Sequence, residues 1–145
     1  MKQHSITREV IEKIREHDHF SNWLGMELLE IREGYCRVQM TIREEMINGI
    51  GIVHGGIPFS LADSAFGYAC NNRNDRSVAL DTSISFIKPI HLGDAITAEA
   101  NEIHNGRSTG VYLVTIHNQK QEQVALFKGT CFRTGKPLIG NETSL

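Results

Sequence analysis

No stretch of this chain is apolar for long enough to cross a bilayer as a helix. Cysteine is scarce. Cys36, Cys70 and Cys131 are odd in number, scattered and without Cys-x-x-Cys spacing, which excludes a disulfide framework and a zinc cluster and predicts reduced thiols in a cytoplasmic protein. An excess of one charge is missing too. Lys and Arg number 15 against 17 Asp and Glu, and the net charge of −2 gives no general pull toward nucleic acid or an anionic membrane. There is no Gly-x-Ser-x-Gly elbow for a nucleophilic serine. No metal-ligand cluster is visible, and His17 and His19, two apart, do not share a helix face. The first residues, MKQHSITREVIEKIREHDHF, carry no signal-peptide core, which predicts a protein that is not exported. Repeats, low-complexity segments and internal linkers are absent.

What remains is an ordinary globular composition, 40% hydrophobic and 22% charged over 145 residues, enough for a single domain with its own core. An N-terminal helix is expected over residues 5–20, with Ser5 as N-cap and Ile6, Val10, Ile11 and Ile14 as its apolar stripe. Glu12, Lys13, Arg15 and Glu16 face water in this reading, and Phe20, Trp23 and Leu24 dock the segment to the body. From Gly25 the period changes to two. Leu28–Glu33 and Tyr35–Arg43 form a hairpin about Gly34. Further strands are expected over Val78–Ile87, Ala95–Ile103, Thr109–His117 and Gln123–Phe132, with Asn105-Gly106 a strong hairpin signal and a loose tail from about residue 136.

Between these strands lies NGIGIVHGGIPFSLADSAFGYACNN, Asn48 to Asn72. A glycine-rich turn leads through His54-Gly55-Gly56 into a helix over about 55–71, with Pro58 in its first turn and Asn71 and Asn72 as stop signals. Phe59, Asp63, Phe66 and Cys70 fall on one stripe, and Leu61, Ala62, Ala65 and Ala69 make the helix apolar over most of its surface, so it should be buried. Asp63 then sits inside an apolar stripe. Either it bonds a neighbouring backbone group or Ser64, or it is a catalytic carboxylate with a raised pKa. Gly55 and Gly56 leave backbone N–H groups bare at the positive end of the helix dipole, where a developing oxyanion can be held; the alternative is a tight helix entry that needs glycine for its backbone. Gly56 and Asp63 are seven residues apart, roughly 10 Å along the axis at about 1.5 Å per residue. If both act on one substrate atom they come from two copies of the helix, which predicts a homodimer with shared sites. One buried helix among mostly consecutive strands gives an α+β class, a curved antiparallel sheet wrapped around the helix, with free edges that pairing of subunits would cover.

The His-Gly-Gly turn, the LADSAFGYACN helix and the strand–Lys-Pro–Gly-Asp succession resemble the hotdog-fold acyl-CoA thioesterases, and more closely their phenylacetic acid degradation branch. The likeness runs from about Leu24 to Gly135 and includes Asn48, Gly49, His54 to Gly56, Asp63, Gly93-Asp94, Thr109 to Tyr112 and Val124 to Phe127. The resemblance implies hydrolysis of a thioester between an acyl or aryl-acyl group and coenzyme A, in a homodimer or homotetramer. It implies no cofactor, coenzyme A being part of the substrate. Asp63 would be the nucleophile or the general base for water. The Gly55 N–H, with Gly56, would polarise the carbonyl. Asn48 would position water or carbonyl, or only form the turn; His54 would touch the sulfur or only brace it. Lys88, Arg107, Ser108 and, more weakly, Arg133 are the candidates for the coenzyme A phosphates, each with an ordinary surface role as the alternative. A hydroxyl that aids water in some relatives has no secure match among Ala79, Thr82 and Ser83. Of the aromatic residues Phe59, Phe66, Tyr68 and Phe86, each fits a pocket or the core, with Phe59 and Phe66 expected in the core. Two other readings remain at this stage. One is a hydratase or dehydratase using a His and an acid; the other is a non-catalytic acyl-CoA-binding module.

Overall fold

The computed structural model describes residues 2–140. Six antiparallel strands form one sheet: β1 (Glu27–Arg32), β2 (Tyr35–Thr41), β3 (Ser77–Phe86), β4 (Ala95–Asn105), β5 (Thr109–His117) and β6 (Gln123–Arg133), in the order β1-β2-β4-β5-β6-β3. Helices α1 (Lys2–His17) and α2 (His19–Leu24) precede the sheet, and α3 (Gly56–Asn71) lies between β2 and β3 in sequence. α3 therefore carries the chain from one side of the sheet to the opposite edge. The expected α+β hotdog architecture is present, with a curved antiparallel sheet around a central helix and an added N-terminal helix.

The core is what α3 and the inner sheet face bury together. Pro58, Leu61, Ala62, Ala65, Phe66 and Ala69 form the buried stripe of α3 at helical spacing. Opposite them stand Val38 and Met40 of β2, Ile96, Ala98 and Ala100 of β4, Tyr112, Val114 and Ile116 of β5, and Phe127 of β6. Small residues let helix and sheet approach. A methyl group at Gly129 would lie 2.8 Å from the Phe66 ring, so only glycine fits beneath it. Phe66 meets Tyr112 edge-on at 5.6 Å between centroids, and Phe59 meets Phe127 at 5.4 Å. Phe66 is core, as expected; Phe59 is half-buried.

The C-terminus of α3 is tied to both edges of the sheet by two asparagines. Asn72 accepts from the Gly34 N–H and donates to Arg32 O and Tyr35 O, holding the β1–β2 hairpin. Asn71 accepts from Ser77 N–H and donates to Gly67 O and Ser77 O, fixing the start of β3.

Three expectations about the ends are corrected. The N-terminal helix does not run through residues 5–20 with Ser5 as cap: it begins at Lys2 and stops at His17. Asp18 then caps the separate α2 by accepting the Ser21 N–H at 3.0 Å, a local bond that competes with continued helix. Of the three residues expected to dock this segment, only Leu24 is buried; Phe20 and Trp23 are stacked on each other and exposed. The segment after Gly135 is not loose as far as it is described. Asn74 accepts from Leu138 N–H and Ile139 N–H and donates to Ile139 O, and Leu138 is buried. Residues 141–145 lie outside the described part.

Candidate active site

The segment entering α3 is fixed before the helix starts. Asn48 Oδ1 accepts from Ile50 N–H at 3.0 Å and Ile52 N–H at 3.3 Å, closing an Asx turn that Gly51 completes at φ 88°. Val53 N–H then bonds Ile90 O at 2.9 Å, and His54 N–H bonds Met46 O at 2.8 Å. Of the two roles open for Asn48, the turn takes its side-chain oxygen; the residue also lines the cleft described below. His54 Nδ1 accepts the Gly56 N–H at 2.9 Å. The side chain thus braces the helix entry. With Nδ1 accepting, the neutral ring carries its proton on Nε2, leaving that N–H as a donor.

This bond corrects one expectation. The Gly56 N–H is not bare, because His54 occupies it. The Gly55 N–H has no acceptor among the described residues, and it stands at the positive end of the α3 dipole. The glycines are not there for backbone freedom either. Gly55, the N-cap, has φ −56° and ψ −25°, open to any residue. Their reason is close approach. A methyl group at Gly55 would lie 3.0 Å from Cζ of Phe86, and one at Gly56 would lie 3.0 Å from His54 Nδ1.

Beside Gly55 opens a cleft of about 380 Å³ between the glycine-rich turn and the β3–β4 connection. Ile52, Val53, Pro58 and Ile90 make its apolar walls, Phe86 projects into it, and Asn48 and Lys88 stand on its polar side. Sequence reasoning left Phe86 between pocket and core; it is 59% exposed and belongs to the cleft.

Asp63 lies nearly two turns further along α3. The stripe through Phe59, Asp63, Phe66 and Cys70 is not uniform: Phe66 and Cys70 are buried, Phe59 is half-buried, and the Asp63 carboxylate is exposed in the single protomer. It shares the open side of α3 with Gly56, Ser60 and Gly67, all small. The bland alternative of a bond to Ser64 is not realised: Ser64 Oγ pairs with Ser21 Oγ of α2 at 2.8 Å. No partner for Asp63 occurs among the described residues. The neighbouring protein mass strips water from the carboxylate, and this desolvation raises its pKa above the ordinary aspartate value.

The phosphate candidates separate. Lys88 stands on the cleft, with Nζ 2.6 Å from Glu122 Oε2. Arg107 and Ser108 are exposed in the β4–β5 hairpin, beside the C-terminal end of α3 rather than the Gly55 end. Arg133 is corrected outright. Its guanidinium is buried, and its five N–H groups are taken by Gly106 O, Cys70 O, Ser77 Oγ, Asn105 Oδ1 and Tyr112 OH. It ties the β4–β5 hairpin to α3 and β3 and has no donor left for a phosphate. The register of β3 is also defined. Thr82 pairs with Gly129 and Ala79 with Cys131, so both face α3, whereas Ser83 pairs with the exposed Lys128 and faces outward. Among the described residues no three His, Cys, Asp or Glu side chains gather as a metal site, and no helix is long and apolar enough to cross a membrane.

Residues 50–125 match the thioesterase superfamily model, and the chain belongs to that family. Over 125 residues it is 43% identical to the acyl-coenzyme A thioesterase PaaI of Escherichia coli, covering 86% of this chain and 89% of that protein. The solved structure of the E. coli PaaI protein from the phenylacetic acid degradation operon superposes with a TM-score of 0.86, at 39% identity, over 91% of this chain and 98% of that one. A Streptococcus mutans protein, smu.793, solved bound to acetyl-CoA, superposes with a TM-score of 0.75 at 31% identity, over 77% of this chain and 90% of that one.

Proposed function

We propose that this thioesterase hydrolyses the thioester of a small, aromatic acyl-CoA, with each site shared between two subunits. The observation that carries the reading is the pairing, on one helix, of a partnerless carboxylate of raised pKa, Asp63, with a free N–H at the N-terminus, Gly55, that opens on an apolar cleft. The carbonyl oxygen of the thioester takes up charge as the tetrahedral intermediate forms, and the Gly55 N–H and helix dipole oppose that charge. Asp63 either takes a proton from the attacking water or attacks the carbonyl carbon itself, forming an anhydride that a water opens to the free acid after the thiolate has left. The thiolate of coenzyme A then leaves and is protonated, and the His54 Nε2–H is a donor for that sulfur. No resident cofactor takes part. Lys88 is the leading contact for the anionic coenzyme A, in exchange for Glu122.

Sharing follows from length. Roughly 12 Å of chain along the helix axis separates Gly55 from Asp63, too far for one carbonyl. Two surfaces support pairing. β3 is an edge strand with Val78 and Leu80 exposed, and the open side of α3 is lined by small residues that permit a second helix to approach. A dimer, or a tetramer of two such dimers, covers both. The free, buried Cys36, Cys70 and Cys131 fit a reducing, cytoplasmic setting.

The test is thiol release from phenylacetyl-, hydroxyphenylacetyl-, benzoyl-, acetyl- and long-chain acyl-CoA. Fast release from the aryl members that Asp63→Asn abolishes is the expected result. No release from any member would overturn the reading and favour a binding module; a change in the acyl chain without free thiol would favour a hydratase. Sharing is tested by mixing Asp63→Ala with Gly55→Pro, which removes the N–H. Each alone is inactive, and co-refolded mixtures regain activity in the one intact site of each heterodimer. Failure to complement, with heterodimers present, would refute sharing.

A further inference from the structure

The side chain that a methyl group at position 55 would crowd is Phe86. Gly55 has an ordinary helical backbone, so no conformational need explains it. What stands in the way of a side chain is the Phe86 ring, whose Cζ, Cε1 and Cε2 would lie 3.0, 3.3 and 3.6 Å from a methyl group there. The backbone that carries the ring is held by β6. Phe86 pairs with Ala125, and the next two amides, Ile87 N–H and Lys88 N–H, both bond Val124 O. The ring is open to the cleft, which is why so large an apolar side chain keeps 59% of its surface exposed beside a buried core. The walls around it, Ile52, Val53, Pro58 and Ile90, offer contact but no hydrogen bond from a side chain.

We propose that Phe86 is the specificity-determining residue of the thioester site: its ring, laid against Gly55 and open to the cleft, sets how the acyl group lies beside the Gly55 N–H and favours flat acyl groups that stack on it. The inference rests on the thioesterase reading above and adds the residue that selects the acyl group. An aromatic pair contributes stacking beyond area burial, and a flat acyl group gains it where a methyl group cannot. The ring also fixes the reacting carbonyl, because a thioester resting on it is placed relative to the N–H at its edge.

Two measurements test this. The first is the ratio of kcat/KM for phenylacetyl-CoA over acetyl-CoA in wild type, Phe86→Leu and Phe86→Ala. The ratio should fall about tenfold in Phe86→Ala, the size of a lost aromatic contact, while melting shows both variants folded. A uniform fall across all acyl groups would place the ring against the part of the substrate common to all, and would overturn the proposal; so would an unchanged ratio. The second is a double-mutant cycle. Gly55→Ala keeps the N–H and the backbone, yet should lower kcat/KM for the aryl substrate by about tenfold, since displacements of an ångström or less carry that cost. In the Phe86→Ala background the same change should cost less than about twofold. Equal cost in both backgrounds would refute the coupling. Should the wild type release no thiol at all, the thioesterase reading falls separately. Selectivity is then read from binding of the non-hydrolysable thioethers phenethyl-CoA and ethyl-CoA, where loss of preference for the aryl compound in Phe86→Ala supports the proposal and no change overturns it.

Discussion

Replacing Arg133 by methionine separates a phosphate contact from a structural tie. Methionine fills much of the same volume but carries no donor. The guanidinium is buried and gives all five of its N–H groups to four segments: the β4–β5 turn at Asn105 and Gly106, the end of α3 at Cys70, the start of β3 at Ser77, and Tyr112 of β5. Removing it leaves Cys70 O, Ser77 Oγ and Tyr112 OH buried without that donor. It also takes a positive charge from beside Glu102: burial pushes that carboxyl up, but the bonds from Arg73 and Tyr112 and the neighbouring guanidinium charges outweigh it and hold it below the usual glutamate range. Summing five charged hydrogen bonds would overstate the loss, because burying the guanidinium already cost much of their strength. Breaking a buried charge network by removing one member costs about 3–5 kcal/mol. For a domain of this size that corresponds to a fall of about 6–20 °C in thermal midpoint. Calorimetric melting and a urea titration read it, alongside KM for an acyl-CoA. The expected result is a large loss of stability with KM changed less than about threefold at a temperature where the variant is folded. A variant that melts like the wild type but binds acyl-CoA poorly would refute the argument and return Arg133 to the phosphate site.

The other predictions concern the helix and its two ends. Asn72→Ala removes three buried hydrogen bonds to the β1–β2 hairpin and should cost about 2–4 kcal/mol in urea unfolding, with Asn72→Asp recovering less than half because it lacks the donors; a loss below ~1 kcal/mol would show that the hairpin holds itself. His54→Ala should lower stability by about 1 kcal/mol, the loss of a helix N-terminal acceptor, and His54→Asn should restore stability but not activity, because the Nε2–H donor is gone; activity restored as well would leave the ring only bracing the helix entry. Asp63 titrates above an ordinary aspartate, so the folded chain holds its proton more tightly than the unfolded one. Its contribution to stability is therefore fully present below the ordinary value of about 3.9 and is lost as pH rises through the raised value. Asp63→Asn should raise the melting temperature at pH 7 while lowering thiol release by about a thousandfold. The acid limb of the wild-type profile should lie above the ordinary aspartate range, and a limb at or below it would contradict the desolvation.

Strand limits were legible because period-two alternation and turn residues are local signals. Thr109–His117 is observed as expected, and β3, β4 and β6 differ by one or two residues. Local too is the bond from His54 to Gly56, two residues apart, so its bracing role was among the readings open from sequence. Two failures were local, the helix break at Asp18 and the Gly56 N–H taken by His54; the rest are non-local. Arg133 draws its acceptors from four segments that meet only in the folded chain, and nothing in its neighbours announces a buried guanidinium. Phe86 and Gly55 touch across 31 residues, so the glycine could be read as a backbone requirement until the ring was located. Asp63 shows the limit most plainly. α3 is apolar nearly all round, and Asp63 is at helical spacing both from Phe59 and Phe66 and from the open row of Gly56, Ser60 and Gly67. The sheet decides between them. Ala98, Ala100 and Gly129 leave room for Phe66 and the alanines, and turning the helix to bury Asp63 would bring an unpaired carboxylate onto Tyr112 and Phe127. The carboxylate therefore ends at the margin, close enough to the protein to lose water and open enough to meet a substrate. A residue chosen only for folding would be apolar or bonded there, and one chosen only for solubility would stand clear of the protein with an ordinary pKa. Asp63 is neither, which is the physical reason to place the chemistry on it.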